Sequence, residues 1–156
     1  MVAEIDLTVL LKNLNPVASS ENYVFTTLPA NTLTSTLVSA AKGMFQEREG
    51  TTLILPLAAA KQAELQFEGC YRCITCEVHS SLEAVGMTAA MSSALGKAGI
   101  SANVVAAYYH DHIFVPVENL DLALEVLASL SHQCRRLLAS ENAWISVGIE
   151  QYRAPQ

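Results

Sequence analysis

Three clusters in the chain hold residues able to bind a metal or an anion. Cys70, Cys73 and Cys76 are spaced by three, His110-Asp111-His112 places two imidazoles around a carboxyl, and Ser80-Ser81-Leu82-Glu83 precedes Gly86. Thiolates three apart hold zinc when a tight turn, usually with glycine, folds them onto one ion. Here Tyr71, Arg72, Ile74 and Thr75 separate the cysteines and favour an extended chain. Alternation then sends Cys70 and Cys76 to one face and Cys73 to the other, so packing roles are expected. His110 and His112 would share a face on a strand and could pinch one ion, with His79 approaching in the sheet. A tight hairpin between Tyr109 and Ile113 would instead throw them apart at its tip. No further metal ligand is fixed nearby in sequence.

The serine cluster has different chemistry. Ser-x-x-Glu is a capping box, with Ser80 as N-cap and Glu83 reaching back. The free amides of a first helical turn, backed by the positive end of the helix dipole, suit an anion such as a carboxylate. Gly86 has no Cβ, so it permits close approach of a ligand or tight packing against a strand.

The elements that must position these residues can be read from periodicity and punctuation. Leu7, Leu10, Leu11 and Leu14 form one helical stripe, with Asp6 at its cap and Asn15-Pro16 as its stop. A strand follows over Tyr23–Leu28, then a Ser/Thr-rich helix over Leu33–Lys42. Met44–Arg48 and Thr51–Leu55 form a hairpin around Glu49-Gly50, and Leu57–Leu65 is a short helix behind Pro56. The second half repeats this order. Gly69–His79 is a strand, and the helix behind Ser80 buries Met87, Met91, Ala94, Leu95 and Ala98 before Gly99 ends it. Ile100–Tyr109 and His112–Val115 pair around His110-Asp111. A long helix after Asn119 carries Leu120, Leu124, Leu127, Leu130 and Leu137. Ile145, Val147 and Ile149 alternate, predicting a last strand over Trp144–Ile149. That order, β-α-β-β-α-β, is the split, ferredoxin-like motif. The first half is a looser copy that ends in a strand shared with or handed to the second. Half-size units of this length are marginal alone and should share an interface. The expected division is 1–65, a helix plus one unit, and 66–156, the second unit, joined at Gln66-Phe67-Glu68-Gly69.

Composition narrows the function. Hydrophobic residues make up 51% of the 156-residue chain and charged ones 15%, enough for a core and too apolar for disorder. Fifteen acidic against nine basic residues give a net charge of −6, and no Lys/Arg cluster is present to hold a phosphate backbone, so nucleic acid is not an expected partner. Pro, Gly or a charge interrupts every apolar run within about the ten residues that fall short of a bilayer span, so no membrane role is expected. The acidic opening at Glu4 and Asp6 lacks a secretory pattern, and together with unpaired cysteines it points to the cytoplasm.

The run Tyr71–Pro116 resembles an ACT domain, in its Tyr-Arg-Cys-Ile-Thr-Cys-Glu-Val-His-Ser-Ser-Leu-Glu-Ala-Val-Gly-Met stretch and its Gly-Ile-Ser-Ala-Asn-Val element. The whole is similar to small bacterial tandem-ACT proteins that stand alone, and through them to the regulatory part of aspartate kinases and the cytosolic arginine sensors of animal cells. The resemblance implies an α+β fold of two ferredoxin-like ACT units and a regulatory module that binds a small molecule, usually an amino acid. It also implies a homodimer. Carried over by position, the ligand loop is Ser80, Ser81, Glu83, Val85, Gly86, Met87 and Thr88, and Asn103 and Val104 stand where the following strand contributes. First-turn amides would take the α-carboxylate, and loop carbonyls, Asn103 or Glu83 the α-ammonium. The Asp-x-Pro-Gly type of turn found in metabolic-enzyme ACT domains is replaced here by His79-Ser80-Ser81-Leu82, so the ligand's identity does not carry over.

No nucleophile elbow, phosphate-binding loop or dinucleotide fingerprint is present. The expectation is a non-enzymatic sensor without a cofactor or metal. The competing expectation is an ACT-fold interaction protein whose ligand site is vestigial.

Overall fold

The computed structural model describes residues 6–78 and 82–150, with side chains through Ser140 in the last helix. The leucine stripe near the start folds as α1, Leu7–Lys12, opened by Asp6, whose Oδ1 accepts from the Thr8 and Val9 amides at 2.9 and 3.0 Å. So short a helix owes its order to packing rather than to propensity. Leu10, Leu11 and Leu14 are buried, and Ser131 of the last helix donates to the Lys12 carbonyl at 3.0 Å, satisfying one terminal acceptor.

Pro16–Leu28 is a single 13-residue strand, β1, longer than the segment expected from Tyr23 onward. After it come α2 (Ser35–Ala40, capped by Thr34), β2 (Gly43–Gln46), β3 (Thr51–Pro56) and α3 (Leu57–Gln62). The second half supplies β4 (Tyr71–Cys76), α4 (Met87–Lys97), β5 (Asn103–Ala106), β6 (Asp111–Pro116) and α5 (Leu120–Glu150).

All six strands join one antiparallel sheet in the order β2-β3-β1-β4-β6-β5. Each half contributes its three strands in the same relative order, and the halves meet at β1 and β4. The first strand of each unit therefore lies in the fourth-strand position of the other. The division of labour falls within β1: Pro16–Ala18, Asn22 and Tyr23 pair with β4, and Tyr23–Leu28 pair with β3. The two ferredoxin-like units thus share one sheet, which explains why neither needs a complete core of its own.

This exchange accounts for a departure from expectation. The strand predicted over Trp144–Ile149 is absent, because α5 continues through Glu150. The edge of β4 that a final strand would use is already occupied by β1. Alternation at Ile145, Val147 and Ile149 is too short a signal to overcome a missing partner edge.

The helices pack on one sheet face. Ile74, Cys76, Ile113 and Val115 meet Leu10 of α1 and Leu14 just after it, Met87, Met91 and Leu95 of α4, and Ala123 and Leu127 of α5. Val24, Leu53 and Leu55 meet Ala60 of α3 and Leu37 of α2. The opposite face carries an aromatic cluster: Tyr23, Phe25, Tyr71 and Phe114 stack edge-to-face with centroids 5.3–5.8 Å apart, around Ile54 and Cys73.

Candidate functional site

The loop before α4 differs from the capping-box expectation. The helix begins at Met87, and its N-cap is Gly86 at φ 97°, ψ −13°, without a side-chain cap from any described residue. Glu83 lies in a turn ahead of the helix, exposed, so it does not occupy the third helical position. His79, Ser80 and Ser81 lie outside the described residues, and with them the proposed N-cap. The start is later because a left-handed residue is needed to turn the chain into the helix, and Gly86 supplies it at little cost.

The remaining predicted residues separate. Val85 and Thr88 are exposed, with Val85 at 82%. Met87 is buried, and Val104 packs against the same core cluster. The open side of Gly86 is filled by α1: a Cβ there would lie 3.0 Å from Leu7 Cδ2. Asn103 faces the other side of the sheet, beside its register partner Phe114, and donates to the Phe114 carbonyl at 3.4 Å. Met87 and Val104 therefore share the helix-side core, Gly86 packs against Leu7 of α1, and Asn103 stands apart on the other face of the sheet.

Cys73 and Cys76 take opposite faces of β4, as alternation predicts, while Cys70 precedes the strand and is half-buried. Cys76 joins the helix-side core and Cys73 the aromatic face, both fully buried. Burial pushes the Cys76 thiol up to about 12, with Asp111 and Cys73 nearby adding to the rise, so it stays protonated and unreactive at neutral pH.

The histidine cluster is split by register. Ala106 pairs with Asp111, leaving 107–110 as the connection, closed by a hydrogen bond of 3.1 Å from the Ala107 amide to the His110 carbonyl. Exposed Tyr108 and Tyr109 form the tip, rather than His110-Asp111, because β6 already begins at Asp111. Asp111 turns toward the helix side, opposite Cys76, and burial raises its carboxyl pKa. His112 turns to the aromatic face, where its Nδ1 lies 3.0 Å from Thr75 Oγ1 and 4.0 Å from Cys73 Sγ. Burial lowers the His112 pKa, and the charges of Lys42 and His110 lower it further. Among the described residues no group of three His, Cys, Asp or Glu side chains could hold a metal ion.

One feature of this face is not legible in the local sequence. Lys42 follows α2, far along the chain from His112, yet its ammonium lies 5.4 Å from the Tyr23 ring centroid; burial lowers the His112 pKa and raises that of Cys73, and the Lys42 charge adds to the first shift and opposes the second. Only the curl of the sheet, which brings the start of β2 toward β5 and β6, makes them neighbours.

Two units built on one plan and sharing a sheet define a tandem α+β fold. The ACT domain family matches residues 2–72 and, a second time, residues 67–129. The chain belongs to the ACT domain family and carries two such domains. A Vibrio cholerae protein of unknown function, a possible transport protein, shares 42% identity with it at a TM-score of 0.71, covering 80% of this chain and 95% of its own. An Agrobacterium tumefaciens protein is 17% identical at a TM-score of 0.63, over 76% of this chain and 89% of its own. The ligand-free regulatory subunit of aspartate kinase from Thermus thermophilus is 10% identical at 0.56, over 74% and 97%. At the last two identities the likeness is one of fold. No curated protein matches the sequence. Among the described residues no helix is long and apolar enough to cross a membrane.

Proposed function

We propose that the protein is a non-enzymatic, cytoplasmic amino-acid sensor in which the loop 80–88 and the first turn of α4 hold the ligand. The observation that carries this reading is the pair of ACT-family matches, one on each half of a single pseudo-symmetric sheet. The amides at the start of α4, uncapped by any described side chain, are suitable donors for the α-carboxylate. Loop carbonyls and Glu83 are the partners offered to the α-ammonium. Ligand capture at the seam of α1, α4 and β5 would favour one arrangement of the shared sheet, and that differential affinity is what makes a sensor. We propose residues 1–65 and 66–156 as its two units, with β1 and β4 joining them.

A homodimer is part of the proposal. Met44 and Phe45 are exposed on the edge strand β2, and Leu122 and Leu137 on α5, so the chain keeps apolar surface suited to a second copy. Light scattering on the purified protein checks this: a monomer mass at micromolar concentration removes it.

The deciding experiment is a thermal-shift scan against each of the proteinogenic amino acids. A ligand at a hundred times its dissociation constant adds about 2.7 kcal/mol to native stability, a shift of several degrees for a chain this size. A selective upward shift by one amino acid supports the sensor. A flat scan at high concentrations refutes it and leaves an ACT-fold interaction protein with a vestigial site.

A further inference from the structure

The sheet face opposite the helices holds a cavity of about 140 Å³, lined by Lys42, Gly43, Ile54, Val105, Ala107, His112 and Phe114. Its walls come from both edge strands and both halves of the chain, so it exists only in the assembled tandem fold. Four of its features converge on one ligand chemistry. Ile54, Val105, Ala107 and Phe114 give it apolar walls. Lys42 lines it as well, exposed, with its ammonium over the Tyr23 ring. Among the described residues the single ion pair is Arg48–Glu49, so the Lys42 ammonium has no carboxylate partner within 4.0 Å. His112 has its Nδ1 beside Thr75 and Cys73, which leaves Nε2 as the ring nitrogen to meet a ligand.

We propose that this cavity binds a small aliphatic monocarboxylate that lacks an α-ammonium group. The carboxylate meets Lys42, a charge-assisted contact, and the short apolar body sits against Ile54, Val105 and Phe114. Size sets the upper limit: a cavity of about 150 Å³ takes a molecule the size of benzene, about six non-hydrogen atoms. Charge sets the selectivity. An amino-acid zwitterion would bring its ammonium into a pocket that already holds Lys42 and an imidazole, without a carboxylate among the lining residues to receive it. The site is separate from the loop before α4, since it lies on the other face of the sheet, and its ligand class is different.

The test uses three near-isosteric probes on the full chain at neutral pH: isobutyrate, the neutral isobutyramide and the zwitterion 2-aminoisobutyrate. The readout is the His112 ring resonances in NMR spectra of the protein. Isobutyrate is expected to shift them saturably, and the amide and the zwitterion to bind at least tenfold more weakly, about the worth of one charge-assisted hydrogen bond. Lys42→Met is expected to weaken isobutyrate by the same factor, and Lys42→Arg to retain it. Because Lys42 is exposed, both variants should keep the parent's amide spectrum, which checks that they fold. The proposal is overturned by an absence of saturable shift, by equal binding of the amide or the zwitterion, or by a Lys42→Met variant that binds as the parent does. None of these outcomes bears on the amino-acid scan, so the two readings succeed or fail separately.

Discussion

Two glycines of the α4 region should respond to the same substitution with opposite signs. Gly86 stands at φ 97°, a conformation that costs an L-residue about 1–3 kcal/mol. A Cβ there would also press on Leu7 Cδ2 at 3.0 Å, but that atom is the end of a flexible side chain and can give. Gly86→Ala is therefore expected to destabilise by about 1–3 kcal/mol, most of it from the backbone. Gly96 lies on the exposed side of the same helix, where an added Cβ meets nothing within 4 Å. Replacing it with alanine removes unfolded-state freedom and adds helix propensity, for a gain of roughly 0.5–1 kcal/mol. At about 2–4 °C per kcal/mol for a chain of this length, Gly86→Ala should lower Tm by roughly 2–12 °C and Gly96→Ala raise it by roughly 1–4 °C. Circular dichroism melts, backed by urea titrations of the parent and both variants, read these shifts directly. The sites share no neighbours, so the double variant should give their sum within about 0.5 kcal/mol. A neutral Gly86→Ala would refute the left-handed cap and the reading of why α4 starts where it does. A destabilising Gly96→Ala would refute the open helix surface there.

The other predictions concern titratable groups. With Cys76 raised to about 12 and Cys73 fully buried, a thiol reagent at neutral pH should label half-buried Cys70 and Cys134 first. Peptide mapping that found Cys73 or Cys76 modified at a similar rate in the native protein would contradict the burial. The folded-state pKa of His112 lies below its ordinary 6.5, so the unfolded chain takes up a proton there first. Stability from this group is complete above 6.5, falls as pH drops toward the folded value, and then levels off. Asp111 runs the other way: its folded pKa lies above 3.8, so its contribution is full below 3.8 and is lost as pH rises through the folded value. Asp111→Asn should therefore be more stable than the parent at pH 7 and lose that advantage below pH 3.8. Urea midpoints at the two pH values measure it, and an Asn variant weaker at pH 7 refutes the buried-charge account.

The parts of this fold that could be read in the sequence are those where a local rule and the tertiary context agree. Asp6 caps α1, the Glu49-Gly50 region turns the first hairpin, and Met87, Met91 and Leu95 line one side of α4, because each is decided within a few residues of itself. The cysteine spacing was also readable, since a strand's period assigns faces without knowledge of its neighbours. What the sequence concealed depends on who stands beside whom. Whether Trp144–Ile149 becomes a strand depends on a free edge of β4, and that edge is taken by a segment more than a hundred residues earlier. Where the second hairpin turns depends on the pairing of Ala106 with Asp111, which moved the tip from His110-Asp111 to the two tyrosines and sent Asp111 and His112 to opposite faces. Motif reading treats the histidine triplet as one object, but the register divides it between two environments. Lys42 is hidden in the sequence for the same physical reason. Its neighbours Ser39, Ala40 and Ala41 carry no signal of a site, and its relation to His112 arises only because the shared sheet curls two edge strands toward one another. In a tandem fold with exchanged strands, surfaces made by both units are the least visible to a motif search. The cavity beside Lys42 is such a surface, and its chemistry exists only in the assembled sheet.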